Sequence, residues 1–438
     1  MSADDSPPEK IVRSVITACA DCDICRFLME DTCLVFPEIY RLYDRQAATG
    51  LAASDTELRR LVDLCTYCAL CPCPNIRADI LKAKTGFIRR EGLSRQAALL
   101  ADVPRLGRAC AAAPRLVNAL LGAGPAGGWI KQIAGIAPDR RLPQVPAQTF
   151  DAWITDRGLD VKPRSDGRKV AYFAGCTARY LFPQVAKAFV TILAQSGVAV
   201  HVPPQACCGM PLMLEGDQAA TLDRVKATIK SLTAALDDGC DVVCSCPTCG
   251  YMFKTLIREG AYYSQAYQAK VKAGADHIVV PAGEAQIETG DGMVRLQKSI
   301  YKEMFKDDGY FGGIDPIQRI ALSEAVADAG QYLLELHRRH ELAIGPEPVA
   351  GRVLYFAPCH QREQKIGQPY LDLLGLVPGL TVETLPPNLY CCGMGGLMGF
   401  KSEFYDHSQA LGAGLMARID QPSPDAIVTD CLSCRLQF

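Results

Sequence analysis

The chain has 438 residues, 49% of them hydrophobic and 21% charged, with a formal net charge of -2. That length accommodates two or three domains with substantial cores, and the near-neutral balance excludes a globally basic nucleic-acid binder. The 21 cysteines are the anomaly. An extracellular disulfide scaffold would be short and carry a secretory signal, whereas MSADDSPPEK at the start is polar and acidic with no apolar h-region. The cysteines also fall in tight CxxC clusters, a spacing that suits metal better than a disulfide staple. A reducing cytoplasm is the expected compartment. No run reaches the roughly 18 apolar residues of a spanning helix. The nearest stretch, 111–130, is broken by Arg115, Asn118 and several glycines and prolines, and reads as a helix packing on its own protein rather than lying on a membrane surface.

Residues 1–90 hold eight cysteines and read as a helical ferredoxin-like domain. Cys19, Cys22 and Cys25 follow C-x2-C-x2-C, with Cys33 further on; Cys65, Cys68 and Cys71 repeat the triplet, and Cys73-Pro74 follows at once. Such a triplet wraps three thiolates around a four-iron cubane, and the fourth comes from elsewhere, exchanged between the halves in two-cluster ferredoxins. The implied assignment is Cys19, Cys22, Cys25 and Cys73 for one cluster, and Cys65, Cys68, Cys71 and Cys33 for the other. The spacing departs from the ferredoxin form, because x7 precedes Cys33, x1 precedes Cys73 and Cys33 is followed by leucine. A pair of structural zinc sites is the alternative. EIYRLYD from Glu38 and DTELRRLVDL from Asp55 have helical spacing and bridge the two groups.

Residues 91–166 read as a helical and extended linker, with short amphipathic helices in VPRLGRACA from Val103 and PRLVNALL from Pro114. PDRRLPQVP from Pro138 reads as an extended surface strap. Gly122, Gly124 and Gly127 spell G-x-G-x-x-G, but the preceding stretch is helical and no acidic residue follows about 20 positions on in a strand context. The motif is expected to be a loop without flavin or NAD.

From Lys169 strands and helices alternate. KVAYFA ends at Gly175-Cys176, VAVHVP from Val198 leads to Cys207-Cys208-Gly209, and DVVCS from Asp241 leads to Cys246 and Cys249. The order then recurs. RVLYFA from Arg352 precedes Cys359, TVETL from Thr381 precedes Cys391-Cys392-Gly393, and DAIVTD from Asp425 precedes Cys431 and Cys434. Corresponding cysteines lie 183 to 185 residues apart, an internal duplication with five thiols per copy. Five is one more than a tetrahedral zinc site or an ordinary cubane takes. Each group stands at the C-terminal end of a predicted strand, the edge of a parallel sheet where ligands collect. The fold class is therefore α/β plus α: the helical front end, then two duplicated Rossmann-like domains over 167–261 and 349–438. The insertion between them, 262–348, reads as mostly helical, through MVRLQKSIYKEMF from Met293 and IALSEAVADAGQYLLELH from Ile320. HIVVP from His277 is a short strand that would extend the first sheet. The basic group 337–340 reads as a solvated helix end.

The doubled cysteine pattern resembles the cysteine-rich domains of the heterodisulfide reductase catalytic subunit. The whole layout resembles the fused form of that enzyme and the iron–sulfur subunits of anaerobic glycerol-3-phosphate dehydrogenase and glycolate oxidase. RRLP from Arg140 and TFDAW from Thr149 lean toward the glycerol-3-phosphate type. The resemblance implies a noncubane four-iron cluster on Cys176, Cys207, Cys208, Cys246 and Cys249, and another on Cys359, Cys391, Cys392, Cys431 and Cys434, with zinc in one copy as the alternative. Gly209 and Gly393 would let the backbone turn closely around the cluster. Cys244 is a spare ligand or a strand residue, and Cys110 and Cys240 are inert. His360 is a candidate proton donor to a leaving thiolate.

The implied function is an electron-transfer oxidoreductase subunit that reduces a disulfide or serves a quinone-linked partner. The alternative is a non-catalytic conduit docking a flavin dehydrogenase to the membrane. Expected partners are a flavoprotein or a membrane quinone or cytochrome subunit, with a disulfide or thiol substrate and no nucleic acid. The location would be cytoplasmic or peripheral at the inner face of the membrane.

Overall fold

The computed structural model describes residues 6–122, 124–164, 166–283, 292–301, 306–343, 345, 347–386, 390–420 and 423–438. Its front end is helical. Helix Pro8–Cys22 buries Val12, Val15, Ile16 and Cys19, the i, i+3, i+4, i+7 spacing of one helix face. Helix Val35–Thr49 stops at Gly50, whose φ of +71° favours a residue without Cβ. Ser54 and Glu57 close a capping box at the start of helix Asp55–Asp63, and Pro74 opens helix Pro74–Glu91 where no amide partner is needed. Val12, Ile39, Leu58, Leu61 and Phe87 meet in one core.

Nine strands follow among the described residues: β1 (Lys169–Phe173), β2 (Ala199–His201), β3 (Asp241–Cys244), β4 (His277–Pro281), β5 (Met293–Gln297), β6 (Val326–Asp328), β7 (Gly351–Phe356), β8 (Leu380–Thr384) and β9 (Ala426–Thr429). The first sheet has the order β2-β1-β3-β6 and is wholly parallel. The second has the order β8-β7-β9, also parallel. Residues 170–173 of β1 are fully buried, as expected for a parallel strand covered on both faces. In each copy the strand before the first cysteine lies between the strands before the other two groups. The duplicated sequence order thus becomes a duplicated geometry, and the chain is mixed α/β with parallel sheets and many helices.

The segment between the copies differs from expectation. HIVVP does not extend the first sheet; β4 pairs antiparallel with β5 in a separate hairpin, and β6 takes the sheet edge instead. MVRLQ is β5, in which Leu296 is buried between exposed Arg295 and Gln297, an alternation of period two that was masked by the helix-forming residues after it. Only Lys298–Tyr301 is helical there, and 302–305 lie outside the described residues. IALSEAVADAGQYLLELH is likewise broken. Helix Pro316–Ala325 ends where Val326 turns extended, and Asp328 caps a new helix, Ala329–Arg338, by accepting from the Gly330 and Gln331 amides.

Asp328 is 3% exposed, and burial pushes its pKa up to about 6. The unfolded chain loses this proton near the ordinary 3.8, so stability falls as pH rises from about 4 to about 6 and stays reduced above. Asp328→Asn keeps the acceptor for both amides without a buried charge. Its melting temperature should match wild type near pH 4 and exceed it above pH 6, by up to about 2–3 kcal/mol in stability. Equal melts at pH 4 and pH 8 would show that the carboxylate is not strained by burial.

Two expectations for the linker are corrected. The 111–130 stretch packs on its own protein only in part: helix Pro114–Leu120 has no buried residue and Leu116, Leu120 and Trp129 are exposed, yet Gly127 is buried and Asn118 exchanges two hydrogen bonds with the Val145 backbone. The 138–146 strap is not wholly on the surface either. Arg140 turns inward, donating from Nε to the Gly399 carbonyl at 2.6 Å and from Nη1 to Gln437 Oε1 at 2.9 Å. Backbone bonds from Ala137 to Phe400 and from Ser402 to Gly135 bind the strap to the second copy.

Candidate metal centres

The front end brings its eight thiols into two groups. Asp23 takes φ +56° at the end of helix Pro8–Cys22 and turns the chain between Cys22 and Cys25. Cys73 immediately precedes helix Pro74–Glu91. Burial pushes the Cys19 thiol up to about 12, and the charges of Cys25, Cys73 and Cys22 add to the effect. Cys19 and Cys25 face inward while Cys22 and Cys73 are exposed. Cys33, Cys65, Cys68 and Cys71 line a single cavity, walled by Met29, Val35, Leu64, Ile76, Ile80 and Arg77 among others. Burial raises Cys33 and pushes Cys71 up to about 12. The Val35 amide donates to Cys33 Sγ at 3.4 Å. Tyr67 and Ala69 adopt φ of +54° and +62°, a left-handed conformation costing about 1 kcal/mol or more each outside glycine, which folds the 65–71 loop around its thiols.

In the first copy Cys176 opens the helix after β1, Cys207 and Cys208 follow β2, and Cys246 and Cys249 follow β3. Their sulfurs form a chain. Cys207 Sγ donates to Cys176 Sγ at 3.9 Å, Cys208 contacts Cys207 and Cys249, and Cys249 contacts Cys246 and Cys244. Hydrogen bonds from Cys207 and Cys249 hold Cys208 below the usual thiol range. The second copy repeats this with Cys391, Cys392, Cys434 and Cys431, and Cys392 is again the most acidified, chiefly by Cys391. Cys359 stands apart, raised by burial and by the charges of Cys68, Cys392 and Cys431. Each copy also carries a tyrosine bonded to the residue before its CxxC: Tyr172 to Ser245 at 2.6 Å, and Tyr355 to Asp430 at 2.8 Å. Cys244 joins the first chain of sulfurs, whereas its counterpart by strand register is Thr429. Cys240 is buried near Lys169 and Asp238, and Cys110 lies on a linker helix.

Gly209 and Gly393 have φ of +88° and +85°, and their tight spot faces a helix. A Cβ on Gly393 would lie 2.2 Å from the Ser408 carbonyl oxygen, and one on Gly209 2.9 Å from Val225 Cγ2. The glycines therefore admit the following helix against the Cys-Cys turn.

The front end and the two copies converge on the 65–71 loop. Tyr67 and Ala69 pack in the core that contains Cys176, Cys207, Cys208 and Cys249. Cys65, Cys68 and Cys71 pack with Cys359 and Cys391. The charge of Cys68 raises both Cys359 and Cys391, and that of Cys431 acts on Cys246. His360 clasps the junction. Its Nε2–H donates to the Tyr67 carbonyl at 3.0 Å, so in the neutral ring Nδ1 accepts from the Thr248 hydroxyl at 3.0 Å. The ring also stacks on Tyr251 at 4.9 Å. Both nitrogens are engaged, and burial pushes the pKa down to about 4, so this arrangement gives His360 a tethering place rather than a free proton to donate. His360→Ala leaves the Tyr67 carbonyl and the Thr248 hydroxyl unpaired. Denaturant melts of the cluster-free chain should register a loss of about 2–4 kcal/mol.

The donor set tests what these sites fit. All-thiolate ligation suits zinc or iron–sulfur clusters and excludes hard cations. Zinc would draw its sulfurs to about 3.8 Å from one another around a point, from tetrahedral bonds of about 2.3 Å. Among the described residues no three Cys, His, Asp or Glu side chains converge in that way. Four thiols around a mostly apolar cavity fit a larger inorganic core. Arg77, on the wall of that cavity, and Lys84, whose charge also reaches Cys65, are functional candidates with no spacing signal in the sequence.

Residues 170–254 and 353–438 each match the family model described as CCG, cysteine-rich domain. The chain carries the CCG domain twice. Among similar proteins, a component of the anaerobic glycerol-3-phosphate dehydrogenase of Escherichia coli (strain K12) is 25% identical over 301 residues, 68% of this chain and 61% of the relative. A component of the fumarate reductase (CoM/CoB) of Methanothermobacter marburgensis is 24% identical over 63% of this chain and 42% of the relative. Lactate utilization protein A 2 of Bacillus cereus (strain AH820) is 24% identical over 58% of this chain and 86% of the relative. The chain thus spans about three fifths of the length of the first of these. The two CCG matches coincide with the two parallel sheets and their cysteine edges.

Proposed function

We propose that this chain is the iron–sulfur, electron-carrying subunit of an oxidoreductase complex. One observation carries the reading: the 65–71 loop is buried between the two CCG halves, with Cys68 close enough to act on Cys359 and Cys391. The arrangement is a relay with an outer group (Cys19, Cys22, Cys25, Cys73), an inner group (Cys33, Cys65, Cys68, Cys71), then the second CCG site and the first. In this reading the front groups hold cubane clusters and the CCG groups hold noncubane four-iron clusters, which supply one-electron steps when bound. The protein surrounds the inner cluster with mostly apolar walls and one cation, and fixes its distance to the CCG sites through the His360 clasp. The exposed cysteines of the outer group suit it to exchange electrons with a partner.

The similar proteins are named as parts of glycerol-3-phosphate dehydrogenase and fumarate reductase, which favours work within a larger assembly. A flavoprotein or a quinone-linked protein would be the electron partner, and the exposed apolar residues of 114–133 support docking to it. Among the described residues no helix is long and apolar enough to cross a membrane, consistent with peripheral attachment. Reduction of a disulfide at the facing Cys246 and Cys431 edges is the catalytic form of this proposal, and passive conduction is the other.

The test is metal content after anaerobic reconstitution. Four four-iron clusters predict about sixteen iron and no zinc per chain. About twelve iron with one zinc would leave one CCG site structural and overturn the catalytic form. A chain with two complete CCG clusters that fails to reduce disulfides from an artificial donor is a conduit.

A further inference from the structure

The RRLP strap contributes a buried charge that the relay does not explain. Arg140 is 4% exposed, and among the described residues no carboxylate pairs with its guanidinium. Nε and Nη1 are satisfied by Gly399 and Gln437, but Nη2 is buried and has no hydrogen-bond partner among the described residues. The ring of Tyr405 lies 5.0 Å from the guanidinium. Burying a cation without an anion is costly, so a chain that folds around one has compensation nearby. The second CCG site lies beside Arg140: its partner Gln437 borders the same spot at Gly412 as the Cys392 carbonyl, its partner Gly399 follows the Cys-Cys-Gly turn, and after burial and Tyr405 it is the charge of Cys392 that acts on the guanidinium.

The first copy is built differently. Its nearby arginine, Arg179, is held by both oxygens of Asp151 at 2.8 and 2.7 Å and donates its remaining nitrogen to the Gln205 carbonyl. That guanidinium is neutralised and fully bonded. The duplication therefore repeats the thiols but not the charge beside them. Arg362 also acts on Cys359, but from the opposite end of the motif.

We propose that Arg140 is the countercharge of the second CCG site, raising the reduction potential of the group held there above that of the first copy and making the second copy the resting place of the electron. The proposal rests on the second CCG site holding an iron–sulfur cluster. A fixed cation stabilises the more negative, reduced form, and the low dielectric of the interior preserves the effect. Nη2 is the donor left over for that negative charge.

Three variants test it by redox titration of the anaerobically reconstituted full chain, followed by electron paramagnetic resonance. The second-copy signal is the one lost in Cys434→Ser. Arg140→Gln removes the charge. Gln437→Glu leaves the arginine in place and sets a carboxylate beside Nη1. Each should lower the second-copy potential by about tenfold in its reduction equilibrium, ~59 mV for one electron, and leave the first-copy potential unmoved. Arg140→Lys should stay near wild type.

Melting the cluster-free chain gives an independent readout, in which Gln437→Glu should raise the melting temperature by supplying the missing anion. A second-copy signal whose potential is the same in Gln437→Glu as in wild type overturns the countercharge, as does Arg140→Lys shifting as far as Arg140→Gln. Should Arg140→Gln fail to fold, Gln437→Glu and Arg140→Lys decide alone. Absence of any signal sensitive to Cys434→Ser in the wild-type chain refutes instead the cluster assignment on which the proposal rests.

Discussion

Gly393→Ala should unfold the second CCG half. The added Cβ would sit 2.2 Å from the Ser408 carbonyl oxygen, 2.8 Å from the Gly412 amide nitrogen and 3.0 Å from Gly412 Cα. All three are backbone atoms of helix Tyr405–Asp420, so no rotamer change relieves the overlap. Gly412 faces the same contact from the other side, since its own Cβ would lie 2.6 Å from the Cys392 carbonyl oxygen. The φ of +85° adds strain of about 1 kcal/mol. Together these place the variant beyond about 4 kcal/mol, the exceptional end of single-residue effects. Gly209→Ala is the internal control. Its nearest obstacle is the Val225 side-chain methyl at 2.9 Å, which can shift, so its cost should be nearer ~2 kcal/mol. Denaturant midpoints of the two variants, measured without clusters, should differ by at least about 2 kcal/mol. Equal losses would mean that the helix accommodates both glycines alike.

Cys68→Ser should cut the relay in the middle. Removing an outer-shell partner typically lowers metal affinity by about 10–100-fold, and loss of a ligand exceeds that. Iron should fall by about four per chain while both CCG groups and the outer group keep theirs. When electrons are supplied at the front end, the CCG sites should no longer be reduced on the wild-type timescale. A small reductant that reaches the CCG sites directly should still reduce them. Cys110→Ser, whose thiol is raised by burial alone with no other thiol acting on it, should leave iron and reduction rates unchanged. Full iron and normal reduction in Cys68→Ser would remove the inner group from the path.

Much of this architecture was legible because the chemistry is carried by one residue type at short spacing. The strands before each cysteine group could be read from apolar runs such as VAYF, and their parallel pairing from the alternation with helices. The 293–297 strand was not legible, because Lys298 and the helix formers beyond it overlay a helical pattern on MVRLQ. The continuity of 320–337 failed at Val326 and Asp328, where a β-branched residue and a capping acid together outweigh the surrounding apolar period.

At the site, sequence spacing named the thiols but carried no information on which groups face each other. The approach of Cys68 to Cys359 depends on how three separate parts of the chain dock. The inward turn of Arg140 in a strap rich in proline and charge has no pattern at all. His360 was visible as a residue next to Cys359. Its role as a clasp required the Tyr67 carbonyl, a backbone group that no motif records.

That clasp has a consequence for how the protein is made. Tyr67 and His360 are 293 residues apart, so at a synthesis rate of about 5–20 residues per second the loop emerges roughly 15 to 60 s before its anchor exists. Thr248, the clasp's other partner, also waits 112 residues for it. The outer thiols can find their places from the N-terminal helices and Cys73 alone. The inner cavity closes only after His360 and Leu411, which lines it, have been made. Iron delivered too early meets an open loop of thiols, so maturation in the cell is expected to follow completion of the chain rather than accompany its growth.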